Sequence, residues 1–167
     1  MTLNEYISKI NQIYRLGNAT EHTYRGDLAT LLQTLVSDIR ATNEPKRQSC
    51  GAPDYILTRG ENPVGFIEAK DIGDKDLEGK KKTGNQEQFD RYKTGLSNLI
   101  ITDYIDFLFY RDGVFTTKVS IGKLEDGSII PIPENFDQFS QLFKNFTETI
   151  SQSIKSPKQY LTPILGQ

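Results

Sequence analysis

The chain has 167 residues, 25% of them charged and 36% hydrophobic, and its formal net charge is -2. This length suits one domain with a buried core, and this composition is typical of a soluble globular protein rather than a disordered one. The sequence lacks long apolar runs and a signal-peptide pattern, and its single cysteine, Cys50, cannot form an internal disulfide. We therefore expect a cytoplasmic protein that does not enter a membrane.

Two helices are predicted before residue 41. Apolar side chains with helical spacing between Tyr6 and Tyr14 predict a first helix, which Gly17 ends. A longer helix is predicted from Thr20 to about Arg40, before a polar stretch that contains proline breaks the helical pattern.

Glu21 is an acid at the start of the second predicted helix. At ~100° per residue, it extends an apolar stripe of that helix toward the rest of the domain. The stripe consists of Leu28, Leu32, Leu35 and Ile39. This placement favours a role in a polar site, although the helix dipole alone also favours an acid in a first turn. Arg25 lies one turn beyond, where it is predicted to pair with Glu21 or to reach a phosphate.

A β-hairpin and a polar loop follow. Its strands are predicted at Asp54–Arg59 and Val64–Lys70, and the sequence GENP between them suits a tight turn. Residues 71–84 are polar and contain several glycines, which predicts a surface loop. The next helix is predicted to begin near Asn85 and to end near Gly95.

Three further strands and a phenylalanine-rich helix are predicted toward the C-terminus. The strands lie in NLIITD and DFLFYRDGVFTTKVSI, with Arg111-Asp112-Gly113 as a turn. Apolar side chains at helical spacing between Phe136 and Phe146 predict one buried helix face, and Ser156-Pro157 predicts the start of another helix. This order of elements predicts an α/β fold with a mixed β-sheet flanked by helices.

The second strand of the predicted hairpin carries unexpected charges. Glu68 and Lys70 share one face because strand side chains alternate, and Asp54 lies at the mouth of the neighbouring strand. Two carboxylates held close together repel unless a cation neutralises them, and Mg²⁺ prefers such oxygen ligands. We therefore predict a metal site at Asp54 and Glu68, with Lys70 supplying positive charge for phosphate chemistry. An ordinary salt bridge at the strand ends is the alternative.

The helix after the loop adds further candidates. Gln88 and Tyr92 are four residues apart and so share a helix face, where they meet a substrate, brace the metal site or simply pack. Arg91 is adjacent and is predicted to reach a phosphate. The basic pair Lys46 and Arg47 is either a DNA contact or a solvated loop feature.

These motifs together carry a family resemblance. Pro53-Asp54, thirteen intervening residues and Glu68-Ala69-Lys70 resemble the motif of the PD-(D/E)XK nuclease superfamily. QFDRY resembles the QxxxY motif of its RecB-like and Mrr-like branches. Longer segments are similar to the N-terminal nuclease domains of single-chain restriction-modification enzymes, of the Type IIG and Type I single-polypeptide kind. They are NATEHTYRGDL, TNEPKR, GAPDYIL, IEAKDIG, QFDRYK and LSNLIITDYIDFLFYRDG, within roughly residues 18–113.

The resemblance implies a restriction-endonuclease-like fold over residues 1–150, followed at 151–167 by the start of a helical spacer or C-terminal tail. It implies Mg²⁺ as the cofactor, with Mn²⁺ as a substitute. The implied catalytic residues are Asp54, Glu68, Lys70, Glu21 and Gln88, and the implied metal ligands among them are Asp54, Glu68 and Glu21. In proteins of this kind, methyltransferase and target-recognition domains, and in some a helicase, belong to the same longer polypeptide.

The sequence thus predicts a Mg²⁺-dependent endodeoxyribonuclease domain of a prokaryotic restriction-modification enzyme, with double-stranded DNA as its substrate. Cleavage of both strands needs two active sites, so transient pairing of two domains is expected. The predicted DNA contacts are Arg25, Lys46, Arg47, Arg91 and Tyr92. The alternatives are a non-catalytic nuclease-fold module for DNA binding or dimerisation, and a free-standing nuclease for DNA repair or branched junctions.

Overall fold

The structure, a computed structural model, describes residues 1–43, 48, 50–81 and 84–154. Within these ranges the helices are α1 (Leu3–Arg15), α2 (Arg25–Leu35), α3 (Gly84–Gly95) and α4 (Phe136–Ile154). The 3₁₀ turns Glu21–Tyr24 and Pro133–Asn135 precede α2 and α4. The strands are β1 (Ile39–Asn43), β2 (Tyr55–Arg59), β3 (Asn62–Ala69), β4 (Asn98–Thr102), β5 (Asp106–Arg111), β6 (Val114–Ser120), β7 (Gly122–Glu125) and β8 (Ser128–Pro131).

Strands β1 to β6 form one six-stranded sheet in chain order, and β7 and β8 form a separate hairpin. All neighbouring strands of the large sheet are antiparallel except β3 and β4, which are parallel, with Ala69 opposite Thr102. The parallel pair follows from the crossover, because the loop after β3 and helix α3 return the chain to the start of β4. The predicted α/β fold with a mixed sheet and flanking helices is confirmed.

Apolar side chains cover both faces of this sheet. The larger cluster packs α1, α2 and α4 on one face and includes Ile67 of β3 and Ile100 of β4. The smaller cluster packs α3 on the other face, against Leu99 and Ile101. Because strand side chains alternate, Glu68 points to the face that α3 covers.

Close packing and tight turns fix the central hairpin and its neighbours. A Cβ atom at Gly65 would lie 2.4 Å from the Phe146 ring, so glycine lets α4 approach β3 closely. The predicted turn between β5 and β6 is confirmed, and its residues Asp112 (φ 50°) and Gly113 (φ 80°) both adopt the left-handed conformation typical of two-residue hairpin loops.

The predicted end of the second helix is wrong. Helix α2 stops at Leu35, and Ile39 and Arg40 belong to strand β1, which pairs with β2. The spacing of Leu35 and Ile39 suits a helix, but pairing with the sheet buries Ile39 and Ala41 with the alternation of a strand. The start is also corrected, because Glu21 lies in a 3₁₀ turn before α2.

The β7–β8 hairpin is an addition that the sequence reasoning did not predict. Its turn contains Asp126 (φ 51°) and Gly127 (φ 76°), an Asp-Gly pair that is a recognised hairpin signal. The hairpin packs on α1, where the Asn11 side chain accepts a hydrogen bond from the backbone of Ile129 at 2.8 Å.

The remaining expectations concern the ends of the fold and its surface. Lys46 and Arg47 and the predicted helix start at Ser156-Pro157 lie outside the described residues. Helix α4 continues to Ile154, and the domain boundary at residue 150 stays a prediction. No helix in the described ranges combines the length and the apolar character that crossing a membrane requires.

Candidate active site

Asp54 and Glu68 come together at one end of the β2–β3 hairpin. Tyr55 is opposite Ile67 in the register, so Asp54 falls opposite Glu68. Asp54 Oδ2 accepts a hydrogen bond from the backbone nitrogen of Ala69 at 2.8 Å. Asp54, which directly precedes β2, is therefore hydrogen-bonded to the backbone of β3 next to Glu68.

Glu68 is a buried carboxyl group with an incomplete set of partners. Only 4% of the residue is exposed. Its Oε2 lies 3.5 Å from Lys70 Nζ, while its Oε1 is buried and has no hydrogen-bond partner among the described residues. Burial, reinforced by the charge of Asp54, raises the pKa of Glu68 to about 8 against the opposing effect of Lys70. In the absence of a bound metal ion, burial therefore favours the protonated form of Glu68.

Lys70 follows β3 and is held over the cluster by helix α3. Its Nζ donates a hydrogen bond to Gln88 Oε1 at 2.7 Å and lies 5.4 Å from the centre of the Phe89 ring. The side chain of Lys70 is only 15% exposed. Gln88 therefore lies where the sequence predicted a supporting residue, and its contact is with the lysine.

Arg25 lies on Asp54. Its Nη2 donates to Asp54 Oδ1, and its side chain is only 13% exposed. The predicted pairing of Arg25 with Glu21 or with a phosphate stays a prediction. The Tyr55 hydroxyl donates to the Arg25 carbonyl at 3.0 Å, which fixes the backbone that carries the guanidinium group.

Glu21 lies within electrostatic range of the cluster. Burial raises the pKa of Glu21, with Asp54 and Asp71 adding to the shift and Lys70 opposing it. The described residues nevertheless contain no group of three or more His, Cys, Asp or Glu side chains arranged to hold a metal ion. The predicted role of Glu21 as a metal ligand stays a prediction.

The predicted DNA contacts of α3 differ in exposure. Tyr92 is 2% exposed and packs in the smaller apolar cluster, where burial and the charge of Glu68 raise its pKa to about 12. Its position suits the bracing role that the sequence left open rather than contact with DNA. Arg91 is exposed, and it lines an open cavity of about 540 Å³ together with Cys50 and Asp90.

Tyr104 is a residue of the site region that the sequence reasoning missed. It lies in the turn between β4 and β5, and its hydroxyl donates to the backbone carbonyl of Glu21. The two residues are 83 positions apart, so no local sequence pattern predicts this contact. The only local signal is the sequence TDYID, in which an aromatic residue interrupts a polar turn.

The residues present fit a divalent cation. An unpaired buried acceptor such as Glu68 Oε1 is costly unless a ligand or a proton satisfies it. Mg²⁺ needs oxygen ligands, keeps several waters and binds through one or two carboxylates, which are the groups that Asp54 and Glu68 offer.

The six-stranded mixed sheet, flanked by helices and carrying this cluster on a central hairpin, defines a restriction-endonuclease-like α/β fold. A similar fold occurs in the cryo-EM structure of a DrdV–DNA complex, with a TM-score of 0.62 and 19% sequence identity. The similarity covers 87% of this chain and 13% of that chain. At this identity the likeness concerns the fold. No protein-family model and no curated protein sequence matches the chain.

Proposed function

We propose that this chain is a Mg²⁺-dependent endodeoxyribonuclease module that hydrolyses phosphodiester bonds in double-stranded DNA. The observation that carries the proposal is the buried cluster of Asp54, Glu68 and Lys70, in which one Glu68 oxygen has no partner among the described residues. The likeness to a protein solved in complex with DNA supports DNA as the substrate. The sequence resemblance to restriction-modification nucleases supports the same reaction.

Asp54 and Glu68 would hold the cation, and Mn²⁺ would substitute for Mg²⁺. When bound, the ion supplies a more acidic water and Lewis-acid polarisation of the phosphate. Glu21 adds a negative charge on the same side of the site, where it interacts with Lys70. Its contribution is to orient water or a bound ion rather than to anchor the ion alone.

Lys70 carries the positive charge of the site. Gln88 holds its Nζ at 2.7 Å, which restricts an otherwise flexible ammonium group to one location. A cation fixed in a largely buried site stabilises negative charge that develops on the phosphate more strongly than a solvated cation would. Lys70 is therefore the group that favours the transition state, and Gln88 is the residue that positions it.

The domain would contact mainly the phosphate backbone of DNA. Its binding to DNA should therefore be weak, dependent on salt and nearly independent of base sequence. Arg91, exposed on α3, is the described residue that we propose for such contacts. The proposal also includes target-recognition, methyltransferase or helicase domains in the same polypeptide. It includes a transient dimer as well, because cutting both strands needs two active sites. The chain spans 13% of the length of the DNA-bound neighbour, so these features are inferred from the sequence resemblance.

The direct test is nicking of supercoiled plasmid with Mg²⁺ or Mn²⁺. Asp54→Asn, Glu68→Gln and Lys70→Ala should each abolish nicking without unfolding the protein. Asp38→Asn is the matched control, because Asp38 is exposed and pairs with Arg59 at 2.8 Å on another part of the sheet. Unchanged nicking in the Glu68→Gln and Lys70→Ala variants would overturn the proposal.

A second candidate is a non-catalytic DNA-binding module. The ion pair between Arg25 and Asp54 favours it, because the arginine already neutralises one of the two proposed metal ligands. Calorimetric titration with Mn²⁺ separates the two candidates. Binding that is lost in Glu68→Gln supports the enzyme, whereas DNA binding that ignores the metal and the substitution supports the module.

A further inference from the structure

We propose that Tyr104 and Tyr55 are positioning residues, whose hydroxyl groups fix Glu21 and Arg25 beside the Asp54–Glu68–Lys70 cluster. The catalytic meaning of this inference rests on the proposed function. Both tyrosines are fully buried in the larger apolar cluster, Tyr55 in β2 and Tyr104 in the turn between β4 and β5. Both fall within segments that carry the sequence resemblance, GAPDYIL and LSNLIITDYIDFLFYRDG, but the sequence assigned neither tyrosine a role.

The two hydroxyl groups hold two backbone carbonyls at the start of α2. Tyr104 donates to the carbonyl of Glu21, and Tyr55 donates to the carbonyl of Arg25 at 3.0 Å. The two hydroxyl groups also lie within hydrogen-bonding reach of each other, so the two tyrosines and the two carbonyls form one network. Together they attach the 3₁₀ turn and the first residue of α2 to the sheet that carries the carboxylates.

The attached segment carries two charges that act on the site. Arg25 forms its ion pair with Asp54, and the charge of Glu21 interacts with both Lys70 and Asp54. A shift of this turn by about 1 Å would therefore move two charged side chains, Glu21 and Arg25, relative to the cluster. Such shifts in supporting residues have large effects on catalysis, because reacting groups need close alignment.

The backbone of Tyr104 is itself held in a costly conformation. Its φ is 78°, a left-handed value that is unfavourable for a non-glycine residue and persists only where surrounding contacts impose it. Those contacts are present. Thr102 Oγ1 accepts from the Tyr104 nitrogen at 2.9 Å, and the Tyr6 hydroxyl donates to the Tyr104 carbonyl at 2.8 Å. The strained turn thus directs one buried hydroxyl at one carbonyl.

Ordinary core packing is the competing explanation, and it predicts a different result. If the hydroxyl groups only fill the core, their removal lowers stability and leaves the chemistry of the folded protein unchanged. If they position Glu21 and Arg25, their removal changes turnover and metal affinity. The two explanations therefore separate in kinetics measured on folded protein.

The test compares Tyr104→Phe and Tyr55→Phe with Tyr24→Phe in the full chain. Tyr24 is the matched control, because it is buried and its ring lies 5.2 Å from the Tyr104 ring, yet its hydroxyl is not one of the two that hold these carbonyls. We expect kcat for plasmid nicking to fall roughly ten- to hundredfold in Tyr104→Phe, with KM for DNA nearly unchanged. Tyr55→Phe should show a loss in the same direction, and Tyr24→Phe should match the wild type.

A double-mutant cycle with Glu21→Gln shows whether Tyr104 acts through Glu21. Positioning predicts that Tyr104→Phe has little further effect on kcat, or on Mn²⁺ affinity measured by calorimetry, once Glu21 is replaced. Additive effects would overturn the inference. So would a kcat for Tyr104→Phe equal to that of Tyr24→Phe.

Different results would overturn the positioning role and the proposed function. If the wild type binds Mn²⁺ but nicks no DNA, the proposed function is overturned. The cycle in Mn²⁺ affinity then decides the positioning role, which coupling supports and additivity overturns. If the wild type nicks DNA and the cycle is additive, only the positioning role is overturned. A wild type that binds no Mn²⁺ overturns both.

Discussion

Glu68 and Asp103 are buried acids near the same end of the neighbouring parallel strands β3 and β4, and they are satisfied in opposite ways. Asp103 accepts three backbone hydrogen bonds: Oδ1 from Ile105 at 3.3 Å and Asp106 at 2.8 Å, and Oδ2 from Gly73 at 3.1 Å. Glu68 has a lysine 3.5 Å from one oxygen and no hydrogen-bond partner for the other among the described residues.

The difference separates a structural acid from a candidate ligand. Burial and the charge of Asp106 raise the pKa of Asp103 to about 6, against the opposing backbone hydrogen bonds. Burial and the charge of Asp54 raise the pKa of Glu68 to about 8. Similar burial therefore leads to two outcomes. Asp103 closes a turn, whereas Glu68 keeps an acceptor that a proton or a cation must satisfy.

Glu68→Gln should produce the largest effect on activity. The amide keeps the shape of the side chain but removes the negative charge, so nicking should fall by more than about 100-fold, beyond the range typical of supporting residues. Without metal, stability at neutral pH should change little, because burial already favours the uncharged form of Glu68. Glu134→Gln, which changes an exposed acid, is the control for plasmid nicking and thermal unfolding. A Glu68→Gln variant that nicks like the control would remove Glu68 from the chemistry.

Gln88→Ala should have a smaller effect on the same reaction. Lys70 loses the acceptor that holds its Nζ, and we expect kcat for nicking to fall about tenfold. Gln141→Ala is the matched control, because Gln141 is exposed on α4 and donates a hydrogen bond to Asn145 of the same helix at 3.0 Å. Equal kcat values for the two variants would show that Lys70 is held without Gln88.

The sequence predicted the parts of the site that depend on local pattern. Strand alternation placed Glu68 and Lys70 on one face, the predicted hairpin paired their strand with the strand after Asp54, and helical spacing placed Gln88 beside Lys70. The turn is shorter than predicted, because Asn62 and Pro63 of GENP already belong to β3. The helix predicted from residue 20 to about residue 40 was wrong at both ends, because pairing of β1 with β2 overrides the helical spacing of its apolar residues.

Long-range contacts could not be predicted from the sequence. Arg25 pairs with Asp54 across 29 positions, and Tyr104 reaches Glu21 across 83 positions. No periodicity links such residues, since only the finished sheet brings the start of α2 over the β4–β5 turn. The sequence therefore predicted which charged residues lie near the cluster better than it predicted their hydrogen-bond and ion-pair partners.

Asp103→Asn tests the structural half of the comparison. An amide cannot accept at both of its ends, so at least one backbone N–H group loses its partner, at a cost of about 1–3 kcal/mol. Urea unfolding should show this loss, whereas Asp90→Asn on the exposed face of α3 should leave stability nearly unchanged. An Asp103→Asn variant as stable as its control would mean that these hydrogen bonds do not anchor the turn.

The ionisation of Glu68 should have a smaller effect, which is visible in the pH dependence of stability. Its pKa in the folded state, about 8, lies above its ordinary value of 4.5, so the folded state binds the proton more tightly than the unfolded state does. Stability without metal should therefore fall as pH rises from about 4.5 to about 8, and this slope should be weaker in Glu68→Gln. Urea unfolding at several pH values, in the presence of a metal chelator, measures this slope. Equal slopes in both proteins would contradict the raised pKa.

The central claim is that the Asp54–Glu68 pair binds a divalent cation. Calorimetric titration with Mn²⁺ of the wild type, Glu68→Gln and Asp103→Asn tests it most directly, because it needs neither DNA nor turnover. The account predicts saturable binding in the wild type and in Asp103→Asn, and none in Glu68→Gln. Binding that survives unchanged in Glu68→Gln, or that is absent from the wild type, would contradict it.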